Sequence, residues 1–217
     1  MRRHQTGFTL IEIAIVLVII GLLLGGVLKG QELITQAKIK NVANDFNGVS
    51  VGVYGYQDRY KRLPGDDPGH IRWTIAGTAL LAGNGDNIIG TAGTGYSSTT
   101  DTDENRKFWA DLRMAGFVGG DTSTSLAIAS AQPINAAGGI TGVQHSGLGL
   151  SGPIVCSGSL PAKIAQAIDS QFDDGNAITG SVRGLIEGTP PTAVTTAVPA
   201  ANYVDNGSNL YVVCKNI

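Results

Sequence analysis

The sequence predicts an α+β chain. A long N-terminal helical stem, membrane-spanning in its first half, packs on a C-terminal globular domain with a small antiparallel sheet and long loops. Three observations carry this. The run IAIVLVIIGLLL from Ile13 to Leu24 sits in a stretch whose single formal charge between Arg3 and Lys29 is Glu12. Behind it Ile39, Val42, Phe46, Val49, Val53, Tyr56 and Tyr60 recur at alternating spacings of three and four, the stripe that one face of a continuing helix produces. Past Leu63 the composition turns to Gly, Ser, Thr, Asn and Pro with short alternating apolar pieces, as in a loop-rich domain of few strands.

The 217 residues allow a stem and one domain of about 150 residues, enough to bury roughly two-thirds of its unfolded surface. A formal charge of −2 is no nucleic-acid footprint. Only 15% of residues are charged while Gly numbers 31, which suits an extracellular β-rich surface better than a cytosolic enzyme. Arg2 and Arg3 precede the apolar run and none lies within it, so the amino end is predicted cytoplasmic and the body exported. Cys156 and Cys214, the two cysteines, then lie in an oxidising compartment, where pairing is the default.

The junction of basic leader and apolar run reads Gly7-Phe8-Thr9-Leu10-Ile11-Glu12. The run is long enough to cross a hydrocarbon layer about 30 Å thick. A carboxylate within it costs up to roughly 3 kcal/mol on insertion scales, so an acid kept there asks for a function. This hexapeptide and the run behind it resemble the processing site of type IV prepilins and type II secretion pseudopilins. The resemblance spans residues 1 to about 63 and thins beyond. It implies cleavage after Gly7 by a membrane-embedded prepilin peptidase, methylation of the new amino terminus at Phe8, and assembly of the mature subunit with other pilin or pseudopilin subunits on an inner-membrane platform. It also implies that Glu12 meets the Phe8 amine of a neighbouring subunit in the filament. Within one chain the two lie one helical turn, about 6 Å, apart. Loss of the leader arginines would leave 13 basic against 17 acidic residues. A secretory signal peptide is the simpler reading of the same stretch, but it leaves the internal acid unexplained, lacks an A-x-A cleavage site after the run and is followed by more helix. A plain single-span anchor leaves both Gly7-Phe8 and Glu12 unexplained.

The resulting division is a leader over 1–7, a membrane half of the stem over 8–28, an amphipathic half over 29–63 and a pilin-like domain over 64–217. The stem should end near Leu63, before Pro64-Gly65, giving about 55 residues and roughly 80 Å. Its stripe is read as the seam for the chain's own sheet; the alternative is a coiled-coil homodimer, which would want regular charges beside the seam. Gly21, Gly25, Gly26 and Gly30 each cost up to about 1 kcal/mol in a helix interior. Gly21-x-x-x-Gly25 and Gly26-x-x-x-Gly30 form small-xxx-small patterns suited to close helix approach in lipid.

Residues 64–100 are turn-rich. Gly83-Asn84-Gly85-Asp86-Asn87-Ile88 faintly resembles an oxygen-rich calcium loop, yet it lacks the alternating acids and terminal Glu of an EF-hand, so an Asn/Gly turn is preferred and no cofactor is assigned. Asp101–Gly116 reads as a helix with Asp101 and Glu104 as a capping box, Phe108, Trp109, Leu112 and Ala115 on one face and Gly116 as stop. Between Gly119 and Leu160 strands are predicted around Ile140–Val143 and Ile154–Cys156. Pro161–Phe172 reads as a short helix with Ile164, Ala165, Ile168 and Phe172 inward, stopped at Asp173-Asp174-Gly175-Asn176. Asp169, Asp173 and Asp174 are better explained by turn chemistry than as metal ligands. Leu210–Cys214 is the last strand.

Gly147-Leu148-Gly149-Leu150-Ser151-Gly152 matches G-x-G-x-x-G, but Pro153 follows where a phosphate-binding helix should start, so a flexible loop is expected. His70 and His145 neighbour no nucleophile motif and read as surface or turn histidines. No catalytic residue is nominated, and the chain is read as a non-enzyme. The function expected is a structural pilus or pseudopilus subunit, with the long loops favouring a minor or large one. It would sit in lipid of the bacterial inner membrane before assembly and in a periplasmic or extracellular filament afterwards. The competing reading is a membrane-anchored binding module that keeps residues 1–7.

Overall fold

The computed structural model describes residues 9–75, 77–80, 82–90, 95–189, 191 and 193–217. The chain falls into two compact units, Met1–Lys38 and Ile39–Ile217, and helix α1 (Leu10–Tyr60) belongs to both. In the first unit, every large apolar side chain from Leu10 to Leu28 is exposed, from 46% at Ile20 to 93% at Leu10. Among the described residues, α1 is the helix long and apolar enough to cross a membrane.

In the second unit the stripe is buried at Ile39, Val42, Phe46, Val49, Val53 and Tyr56. Lys61 takes a left-handed conformation after the last turn, so the helix stops three residues short of Leu63, and Leu63 folds back into the core. A 3-10 turn (Pro68–Arg72) leads to the small hairpin β1 (Thr74–Ile75) and β2 (Thr78–Ala79), then α2 (Glu104–Met114) and α3 (Leu126–Ala129). The main sheet follows: β3 (Thr141–Gly147), β4 (Leu150–Pro161), helix α4 (Ala162–Phe172), β5 (Val182–Glu187) and β6 (Leu210–Asn216). All pairings are antiparallel, in the order β3-β4-β6-β5.

Side chains of the sheet alternate between two cores. Val155, Leu160, Tyr211 and Val213 join the α1 stripe and Ile164 and Ile168 of α4. Ile154, Cys156, Val212 and Cys214 turn the other way, onto Tyr96, Leu148 and Val194. The stripe is therefore a seam within one chain. Cys156 and Cys214 are directly opposite in the β4–β6 ladder and are disulfide-bonded, with Cα atoms 4.0 Å apart.

Four expectations are corrected. The G-x-G-x-x-G stretch is a tight hairpin, not a flexible loop: Gly147 pairs with Leu150, and Leu148 and Gly149 between them both have positive φ, the two-residue turn that matches strand twist. The capping box of Asp101 and Glu104 does not form, because α2 starts at Glu104 itself. Asp101 binds Arg106 and Ser130 instead, and Glu104 accepts the backbone N–H groups of Asn84 and Gly90. Gly116 does end the helix, with φ +82° and with Phe117 N donating to Leu112 O and Gly116 N to Arg113 O, a Schellman arrangement. Strand β5 was not anticipated. His70 is fully buried rather than on the surface: its Nδ1 meets Asp111 Oδ1, and Asp111 Oδ2 accepts Gly65 N at 2.7 Å.

These last contacts belong to a polar layer that ties the loop after α1 to α1 and α2. Asp67, 1% exposed, accepts from Tyr56 Oη at 2.7 Å, Arg72 Nη1 at 2.7 Å and Gly69 N at 2.7 Å. The Arg72 guanidinium lies over the rings of Tyr60 and Trp73. Burial alone would push the Asp67 carboxyl up, but the hydrogen bonds from Arg72, Tyr56 and Gly69 outweigh it and hold it below the usual carboxylate range. Asp111 goes the other way: burial raises it despite His70 and Gly65.

Two predictions follow from these ties. Replacing both Cys156 and Cys214 by Ser should lower the unfolding free energy by about 4 kcal/mol on the chain-entropy model, given the sequence separation of 58, with denaturant titration of oxidised wild type as the reference. Equal midpoints would show that the bond contributes nothing. Because the folded-state pKa of Asp67 is depressed, its contribution is present above its unfolded value of about 3.9 and is lost as pH falls through the lower folded value. Asp67→Asn should therefore cost about 1.5 kcal/mol at neutral pH, the low end for a charge-assisted bond because Arg72 is partly exposed, and its urea curve should converge with wild type as the acid is titrated. A gap that persists unchanged below about pH 3 would contradict this assignment.

Candidate functional site

Gly7 and Phe8, the expected cleavage and methylation positions, lie outside the described residues, so the account of the amino end starts at Thr9. Thr9 is the residue before the first turn of α1, and Glu12 is the third residue of that turn. The Glu12 carboxylate accepts Thr9 N at 2.8 Å and Thr9 Oγ1 at 2.7 Å, while Glu12 N donates to Thr9 Oγ1 at 3.3 Å. This reciprocal pair is a capping box, which satisfies amide groups that a helix start otherwise leaves bare. In hydrocarbon such groups have no water to turn to. The reading of Glu12 as a partner for an amine missed this second task. Its signal, Thr-x-x-Glu immediately ahead of an apolar run, was in the sequence.

Further along the stem, a Cβ added at Gly21, Gly25, Gly26 or Gly30 would meet nothing within 4 Å. None of the four is required by a positive φ or by a neighbour in its own chain. Their smallness therefore has no use inside the described chain, and close approach of another helix is the use that small residues have in lipid.

The domain shows two groups of acids at the stretches weighed for a cation, one joining Asp86 of the Gly83–Ile88 turn to Asp66 and Glu104 and the other Asp169, Asp173 and Asp174. Asp66, Asp86 and Glu104 bring one carboxylate oxygen each within 4.8 Å of one another. Asp66 is 2% exposed, and its carboxylate is already met by the N–H groups of Gly85, Asp86 and Asn87. It organises the Gly83–Ile88 turn by accepting from a ring of amides. Asp169, Asp173 and Asp174 are kept apart by separate duties. Asp169 accepts from Tyr203 Oη and Gly175 N, both within 3 Å. Asp173 accepts from Ser181 N and Val182 N, and Asp174 from Thr179 Oγ1 and Asn176 N. Burial pushes Asp169 up, with the Tyr203 and Gly175 bonds opposing. His145 Nδ1 is buried without a partner among the described residues and has no place in either acid group.

What the chain gathers is thus a stem: a capped amino end, an exposed apolar stretch with purposeless glycines, and a second half held by its own disulfide-bonded domain. Comparison with known proteins bears on the first part. Residues 2–28 match the family model described as the prokaryotic N-terminal methylation motif. No curated protein matches the chain. On this match, residues 2–28 carry the signature of type IV pilins and pseudopilins, at the head of a chain with a long N-terminal helix and a small antiparallel sheet.

Proposed function

We propose that this chain is a filament subunit of the type IV pilus or type II secretion pseudopilus kind, cut after Gly7, methylated on Phe8 and assembled through α1. The observation that carries the reading is the change of surroundings along one continuous helix. Its apolar side chains are bare from Leu10 to Leu28 and its stripe is buried from Ile39 to Tyr56, and the bare part starts with the methylation motif. Before assembly lipid covers the bare part, with the amino end in the cytoplasm. In the filament other subunits replace lipid, through the stem glycines. Glu12 caps α1 in the free subunit and pairs with the Phe8 amine of an adjoining subunit in the filament. That amine would otherwise enter a packed apolar core uncompensated, at about 3–5 kcal/mol for a buried charge that loses its partner.

Intact mass of protein from membranes and sheared filaments tests processing. Wild type should begin at methylated Phe8, and Gly7→Leu should retain residues 1–7 and stay in the membrane. A membrane-anchored module without filaments would keep the leader in both.

Two Glu12 variants separate capping from charge pairing. Gln serves as well as Glu at the third position of a capping box, so Glu12→Gln should keep helix stability, whereas Glu12→Val should lose about 0.5–2 kcal/mol of cap. Both should be inserted and cut. Both should be strongly under-represented in filaments when co-expressed with wild type, because neither neutralises an amine. Equal incorporation of Glu12→Gln would leave Glu12 with the cap alone.

A further inference from the structure

Of the helix-interior glycines in the second half of α1, two have reasons in the chain's own packing. A Cβ at Gly52 would touch Leu112, and one at Gly55 would come within 2.6 Å of the Phe117 ring. Gly48 has none: it is exposed, its added Cβ meets nothing within 4 Å, and its φ is not in the left-handed region. A glycine there weakens the helix relative to almost any other residue, with no return inside the domain.

Gly48 opens onto a groove of about 270 Å³, walled by Val49 of α1, Trp109 of α2 and the Phe117–Val118 segment, with Asp45 at its rim. Asp45 has no ion pair or hydrogen bond among the described residues, and the protein mass beside it pushes its carboxyl above the usual range. A groove with a close-approach point and an unpaired carboxylate fits a polypeptide segment bearing a cation on an aliphatic arm.

The chain itself supplies such a segment. Lys40 is exposed on α1 and has no partner among the described residues, whereas Lys61, Arg72 and Arg106 are each paired to an aspartate. At 100° per residue Lys40 and Asp45 point about 140° apart around the helix, so they lie on different flanks of the buried stripe. On the Lys40 flank Val51 and Tyr54 are 68% and 58% exposed, large apolar surface left uncovered by the domain. Two parallel copies of α1 offset by five residues, about 8 Å, bring Lys40 of one level with Asp45 of the other. Because the two flanks differ, the contact is heterologous, and because each copy is also displaced about 8 Å along the axis, it repeats without closing on itself, as a filament requires.

We propose that the groove beside Gly48 receives the Lys40 flank of α1 from a second copy of this chain, with Lys40 Nζ paired to Asp45 and the helices closest at Gly48. The proposal rests on the filament reading above and adds the contact that sets the offset between subunits.

The test uses full-length protein in filaments grown from a mixture of ordinary and ¹⁵N-labelled subunits. A zero-length carbodiimide cross-linker should yield an Asp45–Lys40 peptide joining light and heavy chains, absent in Asp45→Asn and in Lys40→Gln. Gly48→Leu should raise the melting temperature of the unassembled subunit by about 2–4 °C, since a helix former replaces glycine in open space, while its incorporation falls about tenfold or more. Asp45→Lys combined with Lys40→Asp should recover incorporation lost in either single variant. Wild-type filaments that admit Gly48→Leu freely and give no inter-copy Asp45–Lys40 product would overturn this contact and leave the filament reading standing. A cross-link from Asp45 to a different protein would overturn the second copy as occupant. Wild type that is processed but forms no filament would overturn both.

Discussion

An α-helix satisfies its backbone hydrogen bonds within itself, so the same rod is tolerated in lipid, in water and inside a protein. The chain depends on that indifference. Along α1 only the side-chain pattern changes: apolar on every face through the stretch suited to lipid, then apolar on one stripe where the domain attaches. The end of the rod is where the indifference fails, because the first amide groups have no carbonyl to meet. Thr9 and Glu12 close that gap with the chain's own atoms, and the rest of the stem can then remain free of polar groups through the apolar run.

The domain solves a different problem, that of anchoring a rod sideways to a small sheet. The stripe alone would allow α1 to roll or slide. Polar ties with fixed geometry oppose this: Tyr56 reaches from the helix to Asp67, and Asp111 reaches from α2 to the backbone at Gly65 and to His70. Buried and directional, these bonds specify one register where apolar contact tolerates several. Tyr56 serves both ends, with its ring in the apolar stripe and its hydroxyl in the polar tie.

How much of this was legible in the sequence follows from the range of each interaction. The α1 stripe, α4 with Ile164 and Ile168, and the stop at Gly116 rest on spacings within a few residues, and the structure matches them. The Thr9–Glu12 box was equally local and was passed over because the same Glu had a more prominent role to explain. Strand β5 has no such signal: Val182–Glu187 includes Arg183, Gly184 and Glu187 and becomes a strand because β6 offers it an edge. His70 and Asp111 are 41 residues apart, and Asp66 and Asn87 are 21 apart. Polar partners at such separations obey no period. A charged side chain read alone looks like surface, and only the folded chain shows which ones are enclosed.

The sheet order has a consequence for the timing of folding. Strand β6 lies between β4 and β5, yet among the described residues it is the last strand to leave the ribosome. Until it arrives, β5 has no neighbour in the sheet and β4 shows an open edge, so neither core can close over its apolar face. The pairing of β6, with its many contacts distant in sequence, is therefore the step that lets both cores close.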